Sequence, residues 1–377
     1  MRSHPYVGLG RAAFWKTAVG ETPWQQIGGL AHAKSRLGVQ DRIATAGSCF
    51  AQHISCHLRE RRFNFMDVEP APELLRPEHR KRFGYELYSA RYGNIYTTAQ
   101  LRQLVERAIG QFTPVELVWR DNERFYDPFR PSVEPNGFVS EVEALNAQTS
   151  HLFAVHKLFS KADVFIFTLG LTECWRSKQD GAVYPSCPGT QAGTFDPHRH
   201  EFVNLTVAEV ISDLRGAVEL LRIINPALRV ILTVSPVPLV ATASGKHVLT
   251  ASTQSKAVLR AAAGQLADEL PHVDYFPSYE MITAPCFGGA FFSDDKRSVT
   301  EEGVAFVMEA FFRDMCNAAP GEAAQHDAPT SREERRAMKK ARREQAGRPA
   351  QDIKGQRRQK FLEQVLCDEK FLEWFAR

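Results

Sequence analysis

Three runs of apolar, β-branched residues, each followed by a glycine or a serine, constrain the fold of this chain more than any other feature. They are residues 42–46, which lead into Gly47 and Ser48, residues 162–169, which lead into Gly170, and residues 228–234, which lead into Ser235. Runs that are apolar almost throughout are typical of strands covered on both faces, as in a parallel sheet. The chain is therefore predicted to contain a buried parallel sheet.

Helical patterns lie between and after these runs. Residues 207–223 carry apolar side chains three and four positions apart, and comparable patterns cover residues 50–61, 253–270 and 300–315. Thr300, followed by two glutamates, is typical of the first turn of a helix. Strands that alternate with helices predict an α/β fold of three layers with right-handed crossovers.

The rest of the chain departs from this alternation in two places. We expect residues 1–316 to form one α/β domain and residues 67–137, with their Pro-rich stretch at 127–131, to be an insertion over the sheet edge. Residues 317–330 are rich in Ala, Gly, Pro and acids, which predicts a linker. Residues 331–377 are predicted to be a basic, partly helical C-terminal extension.

The net charge of +3 is distributed unevenly. Residues 331–360 hold twelve Arg or Lys and four Asp or Glu, so the remainder of the chain is net negative. The basic run lacks aromatic residues, which disfavours base stacking and hence a specific nucleic-acid partner. An acidic partner or a membrane surface is one interpretation of the extension, and a solvated charged segment is the other.

The cysteines and the apolar stretches indicate in which cellular compartment the protein is expected. Seven cysteines, an odd number, are scattered without Cys-x-x-Cys spacing, which favours free thiols over disulfides or structural zinc. No apolar stretch is long enough to span a membrane, and the N-terminus lacks the pattern of a signal peptide. These features predict a cytoplasmic protein.

No metal or cofactor is expected. Asp196, His198 and His200 form a short polar cluster, but no further ligand lies at a spacing typical of a metal site. A surface loop is the preferred interpretation. The sequence also has no Gly-rich phosphate-binding motif.

Ser48 is the strongest candidate for chemistry. It lies where a buried strand gives way to a helix, the place where ligands bind in open parallel sheets. Gly47 would allow the tight turn, and nearby backbone amides would stabilise an oxyanion. Cys49 is the better intrinsic nucleophile, but one residue further along we expect its side chain in the core.

Residues 47–51 read Gly-Ser-Cys-Phe-Ala, the motif that names the GSCFA family. Further segments resemble that family in the same order, at residues 4–6, 14–15, 92–97, 170–173, 235–237 and 275–280. Together they cover about residues 4 to 315. The chain thus resembles the GSCFA family, which is similar to a branch of the SGNH/GDSL hydrolases.

The resemblance implies that Ser48 is the nucleophile, with an oxyanion held by its own amide, a Gly amide and an Asn side chain. The corresponding block is residues 170–173, where Gly170 is kept and Thr172 stands in the Asn position, beside Glu173. Asn94, next to Gly93, would supply the missing carboxamide, or would merely cap a turn.

The general base departs from the superfamily plan. An Asp-x-x-His block is expected near the end of the domain, yet with Asp295 in the Asp position the His position holds Ser298. His247, in the loop after the strand that ends near Ser235, is the preferred substitute. The alternatives are that another histidine is the base, that Glu173 or Glu280 takes this role, or that the site does not hydrolyse a substrate.

These features predict a serine-dependent esterase or O-acyltransferase that acts on an acylated carbohydrate or glycoconjugate through an acyl-enzyme. The other hypothesis is a non-catalytic protein on the same scaffold that binds a glycan or a protein partner. The absence of the Asp-x-x-His block favours the second hypothesis.

Overall fold

The computed structural model describes residues 4–317 together with Leu372, Glu373, Phe375 and Ala376. The strands are β1 (Ile43–Gly47), β2 (Trp119–Asp121), β3 (Arg124–Tyr126), β4 (Val164–Leu169), β5 (Glu173–Ser177), β6 (Val183–Tyr184), β7 (His200–Asn204), β8 (Arg229–Val234) and β9 (Val273–Phe276). The α-helices are α1 (Ala51–Glu60), α2 (Pro77–Arg80), α3 (Thr98–Ala108), α4 (Glu141–Lys161), α5 (Val207–Ile224), α6 (Val248–Glu269), α7 (Ser278–Thr283) and α8 (Glu301–Met315).

The centre of the fold is a four-stranded parallel sheet in the order β1-β4-β8-β9. Gly47 pairs with Thr168, and Leu169 pairs with Val234, so the carboxyl ends of three strands meet at one edge. The three strands expected from apolar runs are confirmed. The fourth strand, β9, is short and contains Asp274, so the sequence has no apolar run that predicts it.

Helices cover both faces of this sheet, as the three-layer prediction requires. Phe165 and Phe167 of β4 point into one apolar cluster with α5 and α6, whereas Val164 and Ile166 point into another with α1 and α8. Successive side chains of a strand alternate between faces. The run was apolar throughout because both faces of β4 are buried.

The four helical patterns recognised in the sequence are confirmed as α1, α5, α6 and α8. Thr300 is the N-cap of α8, where its side chain accepts a hydrogen bond from the Gly303 amide at 3.1 Å. The 21-residue helix α4 and the small antiparallel sheet β6-β5-β7 were not expected.

The outer edge of β1 is covered by irregular chain. The amide of Met66 donates to Ile43 O at 2.9 Å, and the amide of Ile95 donates to Gly47 O at 2.9 Å. Part of the segment 67–137 therefore lies over the sheet edge. Its helix α3 packs against α5 and belongs to the main helical layer.

The expected linker, residues 317–330, and the basic extension, residues 331–377, lie outside the described residues apart from Asn317 and the four residues near the C-terminus. Within the described part of the chain, no helix has the length and apolar character needed to cross a bilayer. The six cysteines described there are free thiols.

Candidate functional site

Ser48 follows β1 at the carboxyl edge of the sheet, and Gly47 fixes the turn. Gly47 has φ +137°, and a Cβ atom there would lie 2.3 Å from Thr168 O, which no side chain tolerates. The Ser48 amide donates to Thr168 O at 3.0 Å, so it continues the ladder between β1 and β4. The serine is therefore held rigidly at the strand end.

The Ser48 hydroxyl is buried and has no hydrogen-bond partner in the described structure. Thr168 Oγ1, on the neighbouring strand, is also buried without a partner. Buried hydroxyls are normally hydrogen-bonded, and an unsatisfied one requires an explanation such as a water, an ion or a ligand. Two such groups on adjacent strands make this strand end one place where buried polar atoms are available to a ligand.

Gly170 brings the loop after β4 against Ser48. A Cβ atom at Gly170 would lie 3.0 Å from Ser48 Cβ and 3.0 Å from Tyr96 O. The amides of Gly170 and Leu171 both donate to Tyr96 O at 3.0 Å. The residues around Ser48 thus include the Gly170 loop and the Tyr96 backbone, which meet only because position 170 lacks a side chain.

On another side of Ser48, Tyr88 connects the backbone of this residue to Asn94. The Tyr88 hydroxyl lies 3.1 Å from Ser48 O and 2.5 Å from Asn94 Oδ1, and it accepts a hydrogen bond from Gln52 at 3.1 Å. Gly93 adopts φ +66°, and the turn places Asn94 in this network. Sequence reasoning selected Asn94 but missed Tyr88, which no motif marks.

Several of the expected oxyanion donors are already engaged. The amides of Ser48 and Gly170 donate to backbone carbonyls, as described above. The Thr172 hydroxyl donates to Asn204 Oδ1 at 2.7 Å, and the Thr172 amide donates to Ser255 at 3.0 Å. An oxyanion would have to compete for these donors.

Two candidate side chains, Lys256 and His247, lie at different positions along helix α6. Lys256 is buried, and its Nζ donates to Gly170 O at 2.5 Å. His247 is the exposed N-cap, and its Nδ1 accepts a hydrogen bond from the Leu249 amide at 3.2 Å. The difference of nine positions between them corresponds to about 13 Å along the helix axis. Lys256 therefore lies next to the Ser48 surroundings, and sequence reasoning did not select it.

Residues 42–311 match the model of the GSCFA family. The chain belongs to the GSCFA family. Its five-residue signature is the turn that carries Ser48, from the end of β1 to the start of α1.

Two solved structures show a more distant similarity. One is described as a GDSL-like lipase from Parabacteroides merdae, with 14% identity, a TM-score of 0.28, and coverage of 47% of this chain and 68% of that chain. The other is described as a platelet activating factor from Streptococcus pneumoniae, with 13% identity, a TM-score of 0.26, and coverage of 46% and 65%. Among curated proteins the chain has no match.

In this GSCFA protein the two glutamates selected from the sequence have different surroundings. Glu173 is partly buried, which raises the pKa of its carboxyl, and its Oε1 accepts a hydrogen bond from Thr242 at 2.6 Å. Glu280 is paired with Arg260 at 2.5 Å and accepts a hydrogen bond from Tyr275 at 2.8 Å. A role as base would require Glu280 to leave its ion pair.

The Asp295 loop closes on itself. Ser298 Oγ donates to Asp295 Oδ2 at 2.6 Å, and the Ser298 amide donates to Asp295 Oδ1 at 2.8 Å. The residue in the expected histidine position therefore serves as a turn partner of Asp295.

The remaining cysteine and histidine candidates are integrated into the fold. Cys49 is buried in the core, as expected. Burial also lowers the pKa of His53 to about 3, so this imidazole is neutral at pH 7. His57 is partly buried near Glu60.

The polar cluster at 196–200 was expected to be a surface loop, and this is only partly right. His198 is exposed, but His200 is buried with its Nε2 3.1 Å from Glu116 Oε2. The ring sits inside the fold because β7 begins at this residue. Among the described residues, no group of three or more His, Cys, Asp or Glu is placed to hold a metal ion.

Proposed function

We propose that this GSCFA protein is a serine-dependent esterase or O-acyltransferase of the SGNH/GDSL type, with Ser48 as the nucleophile. The observation that carries the proposal is the Ser48 hydroxyl itself. It is buried at the carboxyl edge of a parallel sheet, it has no hydrogen-bond partner, and a glycine with a forced backbone conformation holds it there.

In the proposed reaction, Ser48 Oγ attacks the carbonyl carbon of an ester and its proton passes to a base. The tetrahedral intermediate collapses, the bond to the alcohol breaks, and the alcohol leaves with that proton. Water or a second alcohol then attacks the acyl-enzyme. These two acceptors distinguish hydrolysis from transfer.

The oxyanion would be held by donors that already surround Ser48. We assign this role to the amides of Ser48 and Gly170, the Asn94 carboxamide and the Thr172 hydroxyl. Because the two amides and the hydroxyl are engaged in the free protein, substrate binding must shift the Gly170 loop. Lys256 bonds to the Gly170 carbonyl and would limit that shift.

His247 is the proposed base, and the substrate is proposed to be an acylated carbohydrate or glycoconjugate, by resemblance to the superfamily. The exposed position of His247 at the N-terminus of α6 requires the preceding loop to approach Ser48 during the reaction.

A non-catalytic binding protein is the second candidate, and one observation favours it. No imidazole donates to or accepts from Ser48 Oγ in the described structure. Together with donors that are already engaged, this describes a buried serine with no proton acceptor in contact.

Labelling with a fluorophosphonate, combined with turnover of p-nitrophenyl acetate, separates the two candidates. The esterase requires covalent labelling that is lost in Ser48→Ala. Ser235→Ala is the matched control, because Ser235 is buried just beyond the end of β8, in the same sheet but separated from β1 by β4. Absence of labelling in the wild-type protein from pH 5 to 9 would favour the binding protein.

The base has its own test. His247→Ala should lower kcat by about 10²-fold or more if this imidazole transfers the proton. Labelling and turnover equal to those of the wild-type protein would remove His247 from the mechanism and leave Ser48 unaffected.

A further inference from the structure

A cavity of about 310 Å³ lies next to the Ser48 site, beyond the carboxyl ends of β4 and β8. Tyr96 and Leu171 line it, and these are the residues whose backbones meet beside Ser48 at Gly170. The loop after β8 and the antiparallel sheet form other walls. Leu171, which lines the cavity, directly follows Gly170, the residue that approaches Ser48.

The walls of this cavity are mainly apolar. They include Leu171, Trp175, Phe202 and Leu239, together with two cysteines. Burial raises the pKa of Cys174 to about 12 and that of Cys187 to about 11, so both thiols are neutral. A cavity of this size and lining is typical of a small-molecule site.

The described lining of the cavity disfavours an anionic ligand group. Among the described residues that line it there is no Lys, Arg or His, and the carboxylic acid is Glu173. A phosphate, sulfate or carboxylate would enter without a counter-charge and would face that carboxyl group. The chemistry that fits is an uncharged, apolar group.

Two residues near the C-terminus also line the cavity. Leu372 is partly buried and Phe375 is largely exposed, and both contribute apolar surface. They lie beyond residues 42–311, the part of the chain that matches the family. The region that matches the family therefore does not include this part of the cavity wall.

We propose that this cavity binds the hydrocarbon part of the acyl group that is transferred to Ser48, and that Leu372 and Phe375 form part of its wall. The inference rests on the proposed function, because it needs an acyl group on Ser48. The acyl carbonyl lies at Ser48, and the chain passes Tyr96 and Leu171 into the cavity.

The test is the ratio of kcat/KM for p-nitrophenyl octanoate to that for p-nitrophenyl acetate, both below their micelle concentrations. The wild-type ratio should be at least about tenfold, since pockets gain this much from added methylenes. Ala241→Trp, which fills the cavity from an exposed loop, should lower the ratio by about tenfold. Ala227→Trp is the control, since Ala227 is an exposed turn residue before β8, at the opposite edge of the sheet.

The C-terminal wall is tested in the same way. Leu372→Glu should lower the octanoate-to-acetate ratio by about threefold or more, because it places a charge against the hydrocarbon chain. Ala376→Glu adds the same charge at an exposed residue that does not line the cavity. Equal ratios in the two variants would overturn the role of Leu372.

Binding of octan-1-ol, measured by calorimetry, makes failure of the pocket distinguishable from failure of the proposed function. Binding that is weakened in Ala241→Trp, in a protein that fluorophosphonate does not label, would overturn the acyl-enzyme and keep the apolar pocket. If Ser48 is labelled, but kcat/KM is the same for octanoate and acetate and octanol does not bind, the pocket is overturned and the esterase is kept.

Discussion

Two buried polar regions of this protein border the same segment of chain and differ in how far their polar groups are paired. Around Arg130 most charged groups are paired: Arg130 Nε lies 2.7 Å from Asp127, and His151 lies 2.7 Å from Glu69, although the buried Arg107 Nε at the same cavity has no hydrogen-bond partner in the described structure. Around Ser48, two buried hydroxyls have no partner. The segment at 88–95 contributes to both regions, through Tyr88 on Ser48 and the Arg91 amide on Glu69.

The difference teaches how to separate structural polar groups from functional ones. A satisfied network fixes the fold and has little capacity for a ligand, whereas an unsatisfied buried hydroxyl costs stability that a ligand recovers. By this criterion the Arg130 cluster, whose histidine and two carboxylates are all paired, is mainly structural, and the Ser48 turn is the candidate functional region.

The largest expected effect comes from Ser48→Ala. Esterase turnover should fall at least about 10³-fold. The free energy of unfolding should stay equal or rise, because the removed hydroxyl makes no hydrogen bond. Kinetics with p-nitrophenyl acetate and urea unfolding measure the two quantities.

Ser55→Ala is the matched control for the stability part of that prediction. Ser55 is also buried, but its hydroxyl bonds to Thr45 Oγ1 at 2.7 Å and to Ala51 O at 3.2 Å. Its loss should cost about 1–2 kcal/mol. Equal destabilisation in the two variants would contradict the contrast between satisfied and unsatisfied hydroxyls.

The second prediction breaks the satisfied cluster. Asp127→Asn leaves the Arg130 guanidinium buried without its carboxylate and should destabilise the protein by about 3–5 kcal/mol. Asp163→Asn is the control, since its pair with Arg42 is exposed and should cost no more than about 1 kcal/mol. Urea unfolding of both variants measures the difference. A similar loss in the free energy of unfolding would contradict a structural role for the cluster.

The sequence made the sheet predictable to the extent that both of its faces are buried. The run around β4 is apolar throughout because α5, α6, α1 and α8 cover it, and only such strands give a continuous signal. The antiparallel sheet β6-β5-β7 is partly exposed and interrupted by charged residues such as Arg176 and Glu201, so its strands give no such signal.

The candidate site was predictable where the backbone dictates the residue. Gly47 and Gly170 are required by close approaches, and Ser48 directly follows Gly47 at the strand end. Tyr88 and Lys256 approach the site from distant parts of the chain, through contacts that tertiary structure alone creates. A buried lysine within an Ala-rich helix has no local pattern that identifies it.

The third prediction concerns the turn that holds Ser48. Gly47→Ala adds a Cβ atom against Thr168 O at φ +137° and should destabilise the protein by about 3 kcal/mol. Gly245→Ala has a φ of +74° but open space around its Cβ, so about 1 kcal/mol is expected. Thermal unfolding of the two variants separates steric clash from backbone strain, and equal costs would mean that the Thr168 contact relaxes freely.

The smallest expected effect is the pH dependence of the satisfied cluster. Burial alone would raise the pKa of Glu69, but His151, Arg130 and the Arg91 amide lower it to about 2. Because the folded pKa lies below the unfolded value of about 4.3, the ionised carboxylate stabilises the fold above that value. This contribution, on the order of 2 kcal/mol, should be lost as the pH falls from about 4.5 toward 2. Urea unfolding at several pH values should show that decline in the wild-type protein. Glu69→Gln, which cannot ionise, should be less stable at pH 7 and show a flatter profile, and parallel profiles would exclude Glu69 as the source.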